Sequence, residues 1–293
     1  MFGGDLMSFT GQNFNPRQHM ITEDYEFFHY NDKSVLDIEY HNHDFFEIYF
    51  FITGNVTYMV EGKSYRLRPW DIMIVSHKEL HKPIVQPDEP YERIVIWVNP
   101  EFAVKQSTSD SNLANCFDTS FKRGSNLLRC SAELIGNIKN TMAKFEKACY
   151  SNSFGNEILR RVYLSELLVY INRGYMDVQD ESLELDVQYN EKVSSIIKYI
   201  SENLDQDLSL DFLSSRFYMS KYHLLHEFKR HAGYSLHHYI QQKRLIMAKA
   251  LLKDGISVGE VCNRCGFGDY SNFIKAFKKA YGLPPKRYFK NQL

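Results

Sequence analysis

Two groups of residues in this chain have the types and spacing for recognition chemistry. The first is His41-Asn42-His43 with Glu47 four residues on, joined by His81 after a further run of strand-like sequence. Side chains alternate along a strand, so His41 and His43 share a face, and Glu47 joins them if the pleat continues. Three imidazoles and one carboxylate could bind zinc, iron(II), manganese or nickel with room for a small ligand. They could equally support the fold or contact a ligand without metal. The second reading is preferred, so no cofactor is expected, and His41, His43, Glu47 and His81 stand only as candidate metal ligands. If Glu47 points inward, so do Tyr49 and Phe51, and Val56, Tyr58 and Val60 suggest an inward face on the next strand. Aromatic faces beside hydrogen-bonding groups suit a sugar or another small polar organic molecule. Aromatics that merely fill the core are the alternative, and parity does not separate the two. The effector-binding candidates are therefore His41, His43, Glu47, Tyr49, Tyr58 and His81.

The second group lies in the last hundred residues. Tyr222, Leu225, His226 and Lys229 stand at i, i+3, i+4 and i+7, while Leu224 and Phe228 mark a different, inward face of the same helix. Tyr222 and Leu225 offer apolar contact to a thymine methyl, His226 can hydrogen-bond a base edge, and Lys229 suits a phosphate. Leu225 could instead pack on a neighbouring helix. Further on, Phe273 and Phe277 face inward and leave Ser271, Asn272, Lys275 and Lys279 outward. Asn272 carries the donor and acceptor pair that fits adenine, and Lys275 can reach guanine or phosphate. A solvated helix face would look similar, but the arrangement occurs twice. Cys262 and Cys265 form a CxxC with no second ligand pair after it, and they read as core rather than as a zinc site. Five cysteines in all are too few and too scattered for a disulfide framework.

These residues need elements to hold them. Residues 208–233 and 256–282 each have the pattern of a helix-turn-helix, with Leu210, Leu213 and Phe217 or Val258, Val261 and Cys265 as the inner stripe of the first helix. Ser220 suits the N-cap of the second helix in the first pair, and Gly266 permits the turn in the second. A long apolar-periodic helix over 236–252 joins the pairs. From residue 40 to 98 short runs rich in Ile, Val, Tyr and Phe alternate with turn residues, at 47–52, 56–60, 64–67, 71–75 and 93–98. Strands this short with no helix between them suggest an antiparallel sandwich or barrel. Residues 101–126 read as an irregular connection. Leu134, Ile138, Met142 and Phe145, then Ile158, Val162, Leu164, Leu168 and Ile171, recur at helical spacing. The acidic stretch 177–190 reads as a linker. The expected domains are thus 1–126 with an N-terminal arm, a helical segment 127–176, the linker 177–190, and 191–293.

Charge follows this division. Residues 190–293 hold 17 Lys and Arg against 9 Asp and Glu, which leaves 18 against 27 upstream, so +8 faces −9 in a chain of formal charge −1. Basic charge confined to one region is the footprint of phosphate binding. No run of eighteen apolar residues occurs and the first thirty residues lack the pattern of a secretory signal, so the expectation is a cytoplasmic protein with no membrane partner.

The last third resembles the DNA-binding domain of the AraC/XylS transcription regulators. The resemblance is carried by Ser220-Lys221-Tyr222-His223-Leu224 with Phe228-Lys229, by Arg244, Ala248 and Leu251-Leu252, by Gly266-Phe267, Phe273 and Phe277-Lys278, and by Gly282-Leu283-Pro284-Pro285 with Tyr288. Ser214 and Cys262 stand where the family commonly has alanine, and Phe289 where arginine is usual. The region 35–98 resembles the cupin barrel, with His41, His43 and Glu47 as its first motif and His81 at the histidine of its second; Trp70-Asp71 departs from the common Gly-Asp turn. Together the resemblances imply a multidomain α+β chain: a cupin-like antiparallel β-barrel that senses an effector, a helical connecting layer that dimerises, and an all-α domain with two helix-turn-helix motifs about one DNA turn apart. The implied function is sequence-specific regulation of transcription in response to a small molecule, by analogy a carbohydrate. Double-stranded DNA, that effector, a second copy of the chain and RNA polymerase are the candidate partners. The chain is not expected to be an enzyme. A metal-dependent cupin enzyme fused to a DNA-binding domain is the alternative and would require stoichiometric metal and turnover, whereas a ligand-free architectural DNA binder would show little sequence preference.

Overall fold

The computed structural model describes residues 17–32, 38–86, 89–118, 125–177 and 186–290, with side chains as far as residue 288. The N-terminal arm up to residue 16, residues 119–124 of the connection, 178–185 of the linker and the side chain of Phe289 lie outside the described residues. The chain divides into two compact units between Gln188 and Tyr189, with the short segment Glu61–Lys63 grouped with the second.

In the first unit, strands β1 (Tyr25–Asp32), β2 (Phe46–Thr53), β3 (Val56–Val60), β4 (Lys63–Arg66), β5 (Ile72–Val75), β6 (His81–Val85), β7 (Tyr91–Val98), β8 (Leu127–Leu128) and β9 (Val187–Gln188) form two sheets. One has the order β1-β7-β2-β5-β8 and the other β6-β3-β4-β9. The expected closed cupin barrel is overturned. Each sheet ends on edge strands, β1 and β8 in one and β6 and β9 in the other, and no ladder joins an edge of one to an edge of the other among the described residues. Closure needs a continuous ring of pairing. Among the described residues an isolated bridge between His41 and His81 lies outside the named ladders, and β8 and β9 are two residues long. Short edges of this kind limit edge pairing in an open sheet.

The five-stranded sheet is covered on both faces, which explains why every residue from Phe46 to Phe51 is buried rather than every second one. Ile48, Phe50, Ile72, Ile74, Ile94 and Ile96 join one core with Ile138, Met142 and Phe145 of helix α2 (Ala132–Cys149) and Leu164, Leu167, Leu168 and Ile171 of α3 (Asn156–Asp177). Tyr49, Phe51, Met73, Val75, Val95 and Trp97 join the other core with Val56, Tyr58 and Val60. The connection expected over 101–126 instead begins with α1 (Pro100–Lys105), capped by the Asn99 side chain accepting from the Glu101 amide at 2.9 Å and burying Phe102 and Ala103. Trp70, at the place where glycine is common, has a left-handed φ of 71°. Its ring carries the Lys139 ammonium at 4.3 Å, a cation–π contact that offsets part of that backbone cost.

The second unit is helical: α4 (Glu191–Glu202), α5 (Leu210–Arg216), α6 (Lys221–Ala232), α7 (Leu236–Lys253), α8 (Val258–Arg264), α9 (Tyr270–Tyr281) and α10 (Pro285–Lys290). Ser209, Ser220, Ser235, Ser257 and Asp269 cap α5 to α9, each side chain accepting from an amide in the first turn. The last turns of α6 and α9 hold lysines, and Gly233 and Gly282 follow them in the left-handed conformation. Helix α7 runs between the pairs α5–α6 and α8–α9. On one side Leu245, Ala248 and Leu252 pack with Val261, Cys262, Cys265, Phe273 and Phe277, so both cysteines are core.

The turn between α8 and α9 depends on Gly266. Its φ is 69°, and a Cβ there would run into the backbone carbonyl of Leu204 and the Arg244 guanidinium. Arg244 in turn donates to the carbonyl of Leu204 at 3.0 Å from Nε and to that of Gln206 at 2.9 Å from Nη2. One arginine on α7 thus ties the loop after α4 to the α8–α9 turn. In the matching turn of the first pair the left-handed position is held by Tyr218, with φ 52°.

Candidate functional site

On α6, Leu224 and Phe228 are fully buried, and this fixes the opposite face outward. Tyr222, Leu225, His226 and Lys229 are all exposed, and the rings of Tyr222 and His226 stack at 6.1 Å, one helical turn apart. Leu225 is 41% exposed, so within this unit it does not pack as a core residue. On α9, Phe273 and Phe277 are fully buried, and Ser271, Asn272, Lys275 and Lys279 are exposed. The cations on these faces differ in how free they are. Lys221 pairs with Asp211 and Arg230 with Glu227, whereas Lys229, Lys275 and Lys279 make no ion pair among the described residues. Asn272, Lys275 and Lys279 border a groove of about 820 Å³ whose wall also includes Ser209, His237, Gln241 and Arg244. Sequence reasoning did not find His237 and Gln241, because they belong to the joining helix rather than to a reading helix.

The first unit holds a cavity of about 300 Å³. Of the residues expected to contact an effector, His41, Glu47, Tyr49 and Tyr58 line it, and His43 and His81 do not. The structure adds Arg17, Tyr30, Tyr91, Arg93 and Trp97. Tyr91, Arg93, Val95 and Trp97 alternate along β7, which pairs with β2 so that Glu47 faces Trp97 and Tyr49 faces Val95. That two-residue period is written in the sequence. Tyr30 was hidden because β1 carries too many polar residues to read as a strand.

Glu47 is the electrostatic centre of the cavity. Its carboxylate accepts from the Tyr58 hydroxyl at 2.7 Å and from the Trp97 indole N–H at 3.1 Å, and Nε2 of His43 lies 3.5 Å away. Burial opposes its charge, and the hydrogen bond from His43 is foremost among the contacts that hold its pKa below the usual carboxylate range. Burial keeps the imidazoles of His41 and, more strongly, His81 neutral. The Tyr49 and Tyr91 hydroxyls share a 2.6 Å hydrogen bond. Burial raises the pKa of Tyr49 and Tyr58 well above its ordinary value and that of Tyr91 to about 12, so all three keep their protons at neutral pH. The Arg93 guanidinium sits over the rings of Tyr30 and Tyr91 at 4.6 and 4.1 Å and pairs with Asp32. The cavity therefore offers aromatic faces, phenol groups and a guanidinium in a desolvated wall.

Comparison with known proteins gives these two sites a context. Residues 25–168 match the family of AraC-like ligand binding domains, and residues 213–291 match a helix-turn-helix domain family. The chain belongs to the AraC/XylS family of transcription regulators, with an N-terminal ligand-binding domain and a C-terminal helix-turn-helix DNA-binding domain. It is similar to the HTH-type transcriptional activator RhaS of Salmonella heidelberg, 22% identical over 251 residues that cover 84% of this chain and 85% of the relative. Among solved structures, the C-terminal domain of the response regulator yesN from Fusobacterium nucleatum is 32% identical, covering 34% of this chain and 98% of that one with a TM-score of 0.33. ToxT from Vibrio cholerae is 14% identical, covering 91% and 98% with a TM-score of 0.35. RhaS is by its name a transcriptional activator, and the chain is a DNA-binding transcription regulator of the AraC/XylS type. No described helix is long and apolar enough to cross a membrane.

Proposed function

We propose that the chain reads an asymmetric DNA site with two helix-turn-helix pairs, α5–α6 and α8–α9, under the control of a small polar effector bound in the first unit. The observation that carries this reading is the repetition. In both pairs a capped helix of seven residues leads through a left-handed turn into a capped helix of twelve, with two aromatic or aliphatic anchors inward and polar or cationic side chains outward. Helix α7 has 18 residues and spans about 27 Å at 1.5 Å per residue, a separator suited to two readers placed near one DNA turn, about 34 Å. Tyr222, Leu225, His226, Ser271, Asn272 and Lys275 are assigned to base edges, and Lys229 and Lys279 to phosphates.

The effector proposed is a carbohydrate, for which ring faces beside Tyr49, Tyr58, Tyr91 and Glu47 provide stacking and hydrogen bonds. The segment 127–176 is assigned to dimerisation through α3, and the linker 177–190 separates it from the DNA-binding region 191–293. The effector's differential affinity for two dimer arrangements would then set how the DNA-binding regions are presented.

Base-resolved binding with the full-length protein tests the assignment. Asn272→Ala is expected to cost about 1–3 kcal/mol at particular base pairs, and Lys279→Ala to weaken all sequences alike and lower the salt dependence by about one phosphate. An Asn272→Ala variant that lost affinity equally on every sequence would contradict it. Saturable change of tryptophan fluorescence on titration with a panel of sugars, weakened by Tyr91→Phe, tests the effector; no response to any sugar would remove the carbohydrate assignment.

A further inference from the structure

The charges around the cavity of the first unit are unbalanced. Glu47 is 6% exposed and lines the space. One of its carboxylate oxygens accepts from the Tyr58 hydroxyl and the other from the Trp97 indole N–H, so neither needs a proton of its own. Among the described residues no lysine or arginine makes an ion pair with it, and its basic contact is the His43 imidazole at 3.5 Å. The two guanidiniums of the wall have carboxylate partners of their own, Arg17 with Glu26 and Arg93 with Asp32. Glu39 lines the cavity as well. The carboxylates of Glu26, Asp32, Glu39 and Glu47 thus stand against two guanidiniums, and a proton on His43 would still leave the balance negative. A desolvated carboxylate is stabilised most by a cation in contact with it, and the open side of Glu47 faces the space where a ligand would lie.

We propose, on the reading of this cavity as the effector site, that the effector carries a protonated amine received by the Glu47 carboxylate beside the rings of Tyr49, Tyr58 and Trp97; among carbohydrates it is an amino sugar with an unacylated nitrogen. The aromatic wall points the same way as the charge. Tyr49 and Tyr58 line the space with ring centroids 5.0 Å apart. Ring faces attract cations, and in this wall they already do so: Arg93 lies over Tyr30 and Tyr91, and Arg17 lies 5.0 Å from the Trp97 centroid. An ammonium group satisfies both features at once, because it donates to the carboxylate and rests against the rings. A uronic acid would meet the negative wall and be rejected, and a neutral hexose would leave Glu47 without its cation. The Tyr49 and Tyr91 hydroxyls share one proton between them in their 2.6 Å bond, which leaves a second proton and oxygen lone pairs suited to the hydroxyls of a sugar ring. A cavity of about 300 Å³ stands at the lower end for ligand sites and suits a monosaccharide better than a chain.

The test is titration of the full-length protein, by calorimetry and tryptophan fluorescence, with glucosamine, galactosamine and mannosamine. Each is set beside its parent hexose and its N-acetyl derivative, and glucuronate and galacturonate are added. One amino hexose is expected to bind at least about tenfold more tightly than both its parent hexose and its N-acetyl form, and Glu47→Gln should abolish that margin. The ligand series reads the charge on the parent protein, so it decides the matter even where Glu47→Gln fails to fold. Equal or tighter binding of a parent hexose or a uronate would overturn the ammonium while leaving a carbohydrate effector in place, and a margin retained in a folded Glu47→Gln would overturn the role of Glu47. Choline and putrescine separate the two readings if no hexose binds. Saturable one-to-one binding of either would keep the ammonium and remove the carbohydrate, whereas no response to any amine would overturn the proposal.

Discussion

Tyr58 and Trp97 each satisfy one oxygen of the Glu47 carboxylate, and the cost of keeping that charge buried depends on both. Tyr58→Phe removes a single hydroxyl with little change in shape and leaves one oxygen short of its donor, so it should destabilise the first unit by about 1–3 kcal/mol. Both tryptophans of the chain, Trp70 and Trp97, lie in that unit, so their fluorescence in denaturant follows its unfolding, and an unchanged midpoint would show that Glu47 does not rely on Tyr58. His29 gives a separate pH dependence. Its ring contacts Glu146 of α2 at 2.6 Å and Glu92 of β7 at 2.8 Å, and the Glu146 hydrogen bond, against burial and with the help of Glu92, raises its pKa. A raised folded pKa stabilises fully below the unfolded value of about 6.5 and ceases to do so as pH rises through the folded value. The thermal midpoint reported by tryptophan fluorescence should therefore fall across that window, and His29→Gln should flatten the fall. A parent midpoint that rose over the same range would contradict this sign.

At the scale of elements, the helix pairs show why some structure is legible from sequence and some is not. Helices α5, α6, α8 and α9 announce themselves through Leu213, Leu224, Phe228, Val261, Phe273 and Phe277 at helical spacing, with a capping serine or aspartate before each and glycine after the longer two. Gly266→Ala would force an L side chain into a left-handed turn against the Leu204 carbonyl, and a loss of about 1–3 kcal/mol is expected from the helical unfolding transition followed by circular dichroism. Full retention of stability would mean the turn can move. Strand β1 was missed because Glu26, His29, Asn31 and Asp32 break its apolar alternation, and its pairing with β7 becomes visible only in three dimensions. Helix α4 was missed as well, although Val193, Ile196, Ile197 and Ile200 carry a regular apolar stripe. The expected barrel failed for a different reason. Strand sequences state which residues are buried but not which edges remain open, and β2 buried on both faces reads alike in a barrel interior and beneath a helical layer. In the cavity, Glu47 and Tyr49 follow from the alternation of β2 and Tyr58 from that of β3, whereas Arg93 and Trp97 require the register of β7 on β2.

At the scale of the whole molecule, the proposed function requires an effector site in the first unit, a surface through which two copies associate, and the helix-turn-helix region. Helix α3 buries Leu164, Leu167, Leu168 and Ile171 on the sheet but leaves Ile158, Leu159 and Val162 at 68, 41 and 52% exposure, with Phe154 exposed just before it. A neighbouring set of exposed apolar residues of this kind fits association of two copies. Ile158→Glu with Val162→Glu should convert a dimer to a monomer in sedimentation, with tryptophan fluorescence and helicity unchanged; a parent protein that sediments as a monomer would remove the dimer from the account. The measurement that bears most directly on the central claim is selection of bound fragments from random-sequence DNA by the purified full-length protein at about 0.15 M salt, where specific and charge-driven binding separate. The account predicts a bipartite motif whose two halves lie about one helical turn apart, one half weakened by His226→Ala and the other by Asn272→Ala. Recovery of no motif, or of a single half-site insensitive to one of these variants, would contradict reading by two helix pairs.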